Sequence, residues 1–260
     1  MTTHRVLALA ALLTLATGCP RPPDAPTELD DLCSYLFVHH PDEEDAETAA
    51  GLANLSVWLD AHWEETVDGF VVDGLGDESV DALDGTDRSV DDILGVAVAT
   101  RSEHPLEAAA SALLEVDQRE VEPDWYETFE RTFLTDLDCF MDRECLRLET
   151  IEEMEVNLAM GIVSTNETYN QYVWVPMDDD WALVQRSWLV EQPEDNSPLL
   201  EVYEQYYLNA FVPRDGGHFR QQTTWLVADQ SLLGEDGTLY MVALGMEIHA
   251  ENLEGYLDGS

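Results

Sequence analysis

The 260-residue chain carries 55 acidic residues against 11 basic ones, every one of them arginine, for a formal net charge of −44. Charge of that size and sign repels nucleic acid and phosphate-rich surfaces, so neither is an expected partner. Hydrophobic residues make up 45% of the chain and aromatic ones 9%, enough to build a core, which excludes a disordered acidic tail.

The first segment has three parts. Met1 to Arg5 is a short basic start, Val6 to Ala16 (VLALAALLTLA) is an uncharged apolar run, and small residues then lead to Cys19. This is the layout of a secretory signal peptide. The run is shorter than the ~20 residues that a bilayer span needs. Leu15-Ala16-Thr17-Gly18-Cys19 resembles the lipobox of bacterial lipoproteins, with Ala16 where such boxes most often carry leucine. The resemblance implies removal of residues 1–18 and lipidation of Cys19 by diacylglycerol. It further implies a folded part held outside the cytoplasm on a membrane of the bacterial envelope, the outer membrane foremost. The proline-rich residues 19–27 read as a stiff tether.

Residues 28–149 read as a mainly helical half. Leu29, Leu32, Cys33, Leu36 and Phe37 recur at helical spacing and form one apolar stripe. Further helices are expected over about 42–65, over 105–117, and from Pro123 with Tyr126, Phe129 and Phe133 along one side. Between them, residues 68–92 are acidic and glycine-rich and read as loop, with Ser89 to Asp92 capping a short helix through Val98.

After Thr150 the period changes to two, and residues 150–260 read as an antiparallel β half, forming one domain with the helices. Met154, Val156, Leu158, Met160 and Ile162 alternate with mostly polar or small neighbours. Recurring turn residues then separate strands over 169–177, 181–191, 199–212, 218–228 and 238–248. Asp215-Gly216 is the clearest hairpin signal. Residues 249–258 read as a short helix or an irregular tail. The expected fold is α+β, with N-terminal helices packed on a curved six-stranded antiparallel meander.

Chemistry is sparse. No Gly-x-Ser-x-Gly, His-Glu-x-x-His or lysine-bearing phosphate loop occurs, which favours a non-enzymatic reading. An oxidising envelope favours a disulfide, with Cys139 to Cys145 the nearer pair and Cys33 to either one the rival. No cofactor is expected, except that Asp73, Asp77, Asp81 and Asp84 supply the hard oxygens that Ca²⁺ takes; a solvated acidic loop is the other reading. The strand half is rich in aromatics, and Trp174, Trp188, Tyr203, Tyr207 and Trp225 are candidates to line a ligand site. Arg186, Arg214 and Arg220 would then meet an anionic group at its mouth.

A curved antiparallel sheet gripping helices resembles the architecture of the START-like and polyketide-cyclase group over roughly residues 150–260, and also the half-barrel of lipoprotein-sorting carriers. Either resemblance implies binding of lipid or another apolar small molecule. The leading expectation is therefore a membrane-anchored lipoprotein that binds an apolar or amphipathic ligand. Its rival is an acidic module, bridged by Ca²⁺, that docks other envelope proteins.

Overall fold

The computed structural model describes residues 24–40, 46–80, 83, 90–158, 162–177, 180–195, 201–230 and 232–259. Cys19, Asp81 and Asp84 lie outside the described residues. The elements in chain order are α1 (Leu29–His39), α2 (Ala46–His62), β1 (Phe70–Val72), α3 (Asp77–Val80), β2 (Leu94–Ser102), α4 (Leu106–Leu113), β3 (Tyr126–Phe133) and α5 (Leu137–Met141). There follow β4 (Arg147–Leu158), β5 (Ile162–Met177), β6 (Asp180–Leu189), β7 (Glu194–Asp195), β8 (Glu201–Arg214), β9 (Gly217–Asp229) and α6 (Gly234–Gly259).

The fold is α+β, as expected, but the sheet is larger than six strands. Nine strands join in one antiparallel sheet of order β1-β2-β9-β8-β6-β5-β4-β3, with β7 paired to β5. Two of the additional strands come from segments expected to be helical. Tyr126–Phe133, expected as a helix after Pro123, is β3, paired with β4 from Tyr126↔Val156 to Phe133↔Thr150. Its aromatic and β-branched residues suit either an aromatic helix face or a pleated strand, and pairing with β4 decides between them. The expected short helix through Val98 is β2, seated between β1 and β9. Most of its residues are buried and Val96 and Ala97, which point to opposite faces, are both covered, so no alternation survives to announce a strand.

The reverse error occurs at the C-terminus. Residues 238–248, expected as a strand, and 249–258, expected as a short helix or an irregular tail, belong to one 26-residue helix, so the helices are not all N-terminal. Leu239, Ala243, Met246, Ala250, Leu253 and Leu257 form its buried stripe. In the first half the neighbours of that stripe (Tyr240, Met241, Val242, Leu244) are apolar as well, which hides the helical period.

Helices cover both faces of the sheet. On one face α1 and α2 bury Leu32, Leu36, Phe37, Leu52 and Leu55 against Val173, Val184, Leu208 and Trp225. Gly51 permits their close approach, since a Cβ there would stand 2.8 Å from Leu36 Cδ2. The carbonyls at the end of α1 are held by guanidiniums from the sheet: Arg186 Nη1 donates to Phe37 O at 3.1 Å and Arg147 Nη1 to His40 O at 3.0 Å. Positive charge at a helix C-terminus offsets its dipole.

On the other face the chain crosses from β2, next to the edge strand β1, to β3 at the opposite edge by way of α4, and α6 lies over β2 and against α4. The expected β8–β9 hairpin is present; Gly216 at its tip has φ +81°, a left-handed conformation that favours glycine. Cys139 on α5 and Cys145, two residues before β4, form a disulfide with Cα atoms 5.2 Å apart, and Cys33 is a buried free thiol on α1. No helix among the described residues is long and apolar enough to cross a membrane.

Candidate ligand-binding site

The α6 face of the sheet contains a buried row of polar side chains that strand register lines up. Tyr172 stands opposite Gln185, Gln185 opposite Asn209, and Asn209 opposite Gln222, across β5, β6, β8 and β9. All four are buried. Because they share one face of neighbouring strands, their side chains reach one another. Gln185 Nε2 donates to Asn170 Oδ1 at 3.0 Å and to the Tyr172 hydroxyl at 3.3 Å. Asn209 Nδ2 donates to Gln185 Oε1 at 3.2 Å, and Arg220 Nε donates to Asn209 Oδ1 at 3.2 Å. At the other end Glu152 Oε1 accepts from the Tyr172 hydroxyl at 3.5 Å and from Arg131 Nε at 2.8 Å. A hydrogen-bonded ladder thus runs from Arg131 on β3 to Arg220 on β9.

The ladder carries α6. Gln222 Nε2 donates to Met246 O at 3.1 Å, and Arg220 Nη1 donates to His249 O at 3.4 Å. His249 also pairs through Nδ1 with Glu122 Oε2, and its ring meets Trp125 edge-on at 4.4 Å. Around these polar groups the face is apolar. One cluster joins α4 and the end of α6 to Tyr172, Trp174, Leu183 and Phe211. A second joins Val96 and Val98 to Leu239, Ala243 and Met246. A third, on β3 and β4, holds Phe129, Met154 and Val156 beside Trp125 and Tyr126.

Electrostatically the cluster sets two guanidiniums, Arg131 and Arg220, against two carboxylates, Glu122 and Glu152. Burial and then the Glu122 and Glu152 carboxylates push the Tyr126 phenol well above its ordinary range. Tyr172 is raised by burial and by Glu152. Tyr207, whose hydroxyl donates to Gln222 Oε1 at 2.7 Å, is raised by burial and by Glu122, with Arg220 opposing. For Arg131, burial acts to lower the pKa, but the carboxylate of Glu152 and the nearby phenols prevail and hold it above its usual value. All three phenols are therefore neutral donors at ordinary pH.

The eight ligand residues expected from the sequence do not converge. Trp188, Trp225, Arg186 and Arg214 share the opposite face. Trp225 packs on Phe37 and donates from Nε1 to Asp73 O at 2.9 Å. Trp188 stacks on Tyr169 at 4.9 Å, and Arg186 holds Phe37 O and Gln171. Arg214 lies over the Phe219 ring at 4.5 Å, beside a shallow cleft of about 270 Å³ at the β8–β9 hairpin that Leu106, Glu107 and Asp180 also line. Tyr203 is exposed at the start of β8. Trp174 shares the face of the ladder but packs into the α4–α5 cluster, donating to Phe140 O at 3.1 Å beneath the Arg143 guanidinium. Tyr207 and Arg220 alone belong to the ladder.

Missed by sequence reasoning were Glu122, Arg131, Glu152, Asn170, Tyr172, Gln185, Asn209, Gln222 and His249. The signal was present as polar residues at alternate positions of these strands, but alternation of that kind is also what a solvent-facing side of a sheet shows. As for metal, Asp73 and Asp77 are exposed, and no group of three potential ligand residues among the described residues could hold an ion.

No family profile and no curated protein matches the chain. Solved structures of similar shape include a START superfamily protein from Mycobacterium smegmatis, with 12% identity and a TM-score of 0.42 over 64% of this chain and 97% of that one. Others are a protein from Thermus thermophilus (15%, 0.40, 64% and 97%) and Ara h 8.0201 (11%, 0.36, 65% and 99%).

Proposed function

We propose that this chain is a non-enzymatic binding protein of the bacterial envelope, anchored through a lipid on Cys19, that holds an amphipathic ligand between the sheet and α6. One observation carries the reading: a polar ladder set among three apolar clusters inside a covered sheet face. Burying polar groups costs about 1–3 kcal/mol each when they are unsatisfied, and an apolar core of the same shape needs none of them. An amphipathic ligand gives such a surface a use, since apolar walls take its chain and the ladder orients its polar end. The expected aromatic floor is replaced by this mixed one. The anchor reading rests on the lipobox alone. The folded part begins close behind it, where Asn54 Nδ2 donates to Ala25 O and Pro26 O at 3.1 and 2.7 Å.

The test is native mass spectrometry of residues 20–260 recovered from an envelope preparation. A stoichiometric adduct released by organic solvent is expected. Clean protein mass after incubation with total lipid extract would defeat the proposal. The Cys19→Ser precursor should leave the membrane fraction or stall in processing; unchanged fractionation would defeat the anchor.

A second reading, docking to another envelope protein, draws on the outer side of α6. There Tyr240, Met241 and Ile248 are exposed, with Leu232 just ahead of the helix. Clean mass together with co-purification of a stoichiometric partner, lost on Tyr240→Asp, would favour it.

A further inference from the structure

We infer that the site selects against anions, and that the polar end of its ligand is cationic or neutral. The inference rests on the binding reading above and narrows it to a ligand class. It reverses the expectation that arginines at the site meet an anionic headgroup.

The first ground is the state of the guanidiniums. Two lie in the ladder, Arg131 and Arg220. Arg131 is almost fully buried, donates from Nε to Glu152, and gives Nη1 to Glu115 O at 2.7 Å. Arg220 spends Nε on Asn209 and Nη1 on His249 O. An anionic headgroup at Arg131 would compete with the buried Glu152 carboxylate, and one at Arg220 with the α6 carbonyl that Nη1 already holds. Breaking a buried pair by removing one partner is strongly destabilising. Arg186, the other deeply buried candidate, is on the far side of the sheet at the end of α1.

The second ground is what faces the polar end instead. Glu152, paired with Arg131, and Glu122, paired with the half-buried His249, contribute two carboxylates, and Tyr126, Tyr172 and Tyr207 contribute phenols that their surroundings keep protonated. Trp125, Tyr126 and Phe129 add aromatic faces beside Glu122, of the kind that attract a cation. The imidazole of His249 already occupies this place, against Glu122 and Trp125. An ammonium group would repeat the same contacts.

The third ground is the field of the whole molecule. A net charge of −44 raises the local concentration of cations and lowers that of anions wherever screening permits.

The test uses three probes of one chain length, each below its micellar concentration: decylammonium, decanol and decanoate, titrated into residues 20–260 by calorimetry. Decylammonium is expected to bind at least tenfold more tightly than decanoate, with decanol between them. Ethylammonium should not saturate, because without a chain it senses only the acidic surface. Raising the salt to 1 M should shrink the advantage of the amine without abolishing it, since the buried carboxylates are less screened than the surface. Glu122→Gln should reduce the ratio of amine to decanol affinity several-fold; Tyr126→Phe, a milder change, should keep the order of the three probes. Decanoate binding as tightly as decylammonium would overturn the inference while leaving the binding reading intact. If none of the three probes bound, the binding reading itself would fail, and this inference with it. An amine advantage that vanished entirely in 1 M salt and ignored Glu122→Gln would assign the selectivity to the surface and overturn the site argued for here.

Discussion

The two faces of the sheet are built from the same strands and covered by helices, yet they are made of different material. Under α1 and α2 the contacts are mainly aliphatic and aromatic, with Gln221 and Thr223 set against the Cys33 thiol and Arg186 and Arg147 reaching carbonyls at the end of α1. Under α6 a polar ladder is set among apolar clusters, and one helix is carried partly by hydrogen bonds. An apolar face tolerates small displacements, because dispersion and burial have no fixed direction. A ladder of amides and charges does not, because each member needs its partner at a given distance and angle. On the proposed reading, the first face holds the molecule together and the second recognises a ligand.

The largest effect that sharpens this contrast should come from the α1 face. Phe37 is fully buried against Tyr206 and Trp225, and Phe37→Ala should lower unfolding stability by about 3–5 kcal/mol in urea titrations. At ligand concentrations well above Kd, the surviving folded fraction should bind as the parent does. A loss of affinity with stability intact would show that the two faces do not divide the work.

Next in size is a pH effect. His218 is fully buried on the α6 face, and burial lowers its pKa from 6.5 to about 4. Its unfolded form takes up a proton below about pH 6.5 while the folded form stays neutral, so its contribution is complete above pH 6.5. That contribution is lost as pH falls toward 4, by at most about 3 kcal/mol. His40 on the α1 side, lowered by burial and by Arg186, adds to the same slope. Replacing His218 by Gln should flatten stability between pH 6.5 and 4, and an unchanged profile would remove His218 from the account.

The ladder supplies the most direct break. Asn209→Ala strands Gln185 Oε1 and Arg220 Nε, and should cost about 1–3 kcal/mol. Replacing Gln185 and Asn209 together by Leu should cost less than the sum of the single changes, because polar partners leave as a pair, while ligand binding disappears. Retained binding in a stable double variant would make the ladder a structural feature alone. The smallest expected change is Tyr207→Phe, which removes one hydroxyl and its bond to Gln222, at about 1 kcal/mol.

Where local pattern and tertiary need coincided, the sequence could be read. The stripe of α1, the Asp215-Gly216 hairpin and five of the strands are such places. The Cys139–Cys145 bridge was one of the pairings weighed from the sequence, and short spacing favoured it. Reading failed where a segment is covered on two sides. β2 lost its alternation because both of its faces are buried, and the first half of α6 lost its period because apolar residues surround its stripe. The ladder failed to show for the complementary reason, since Gln185, Asn209 and Gln222 look like the outer face of a half-buried sheet.

The sequence by itself determined the composition of the core, the overall charge, the α+β class and the stripe of α1, because these follow from residue type and short spacing. Only the tertiary structure decided that residues 238–248 are helical, that α6 covers the polar face of the sheet, and that amides distant in the chain stand opposite one another. Register between strands is a property of paired backbones, and no single strand carries it in its own sequence.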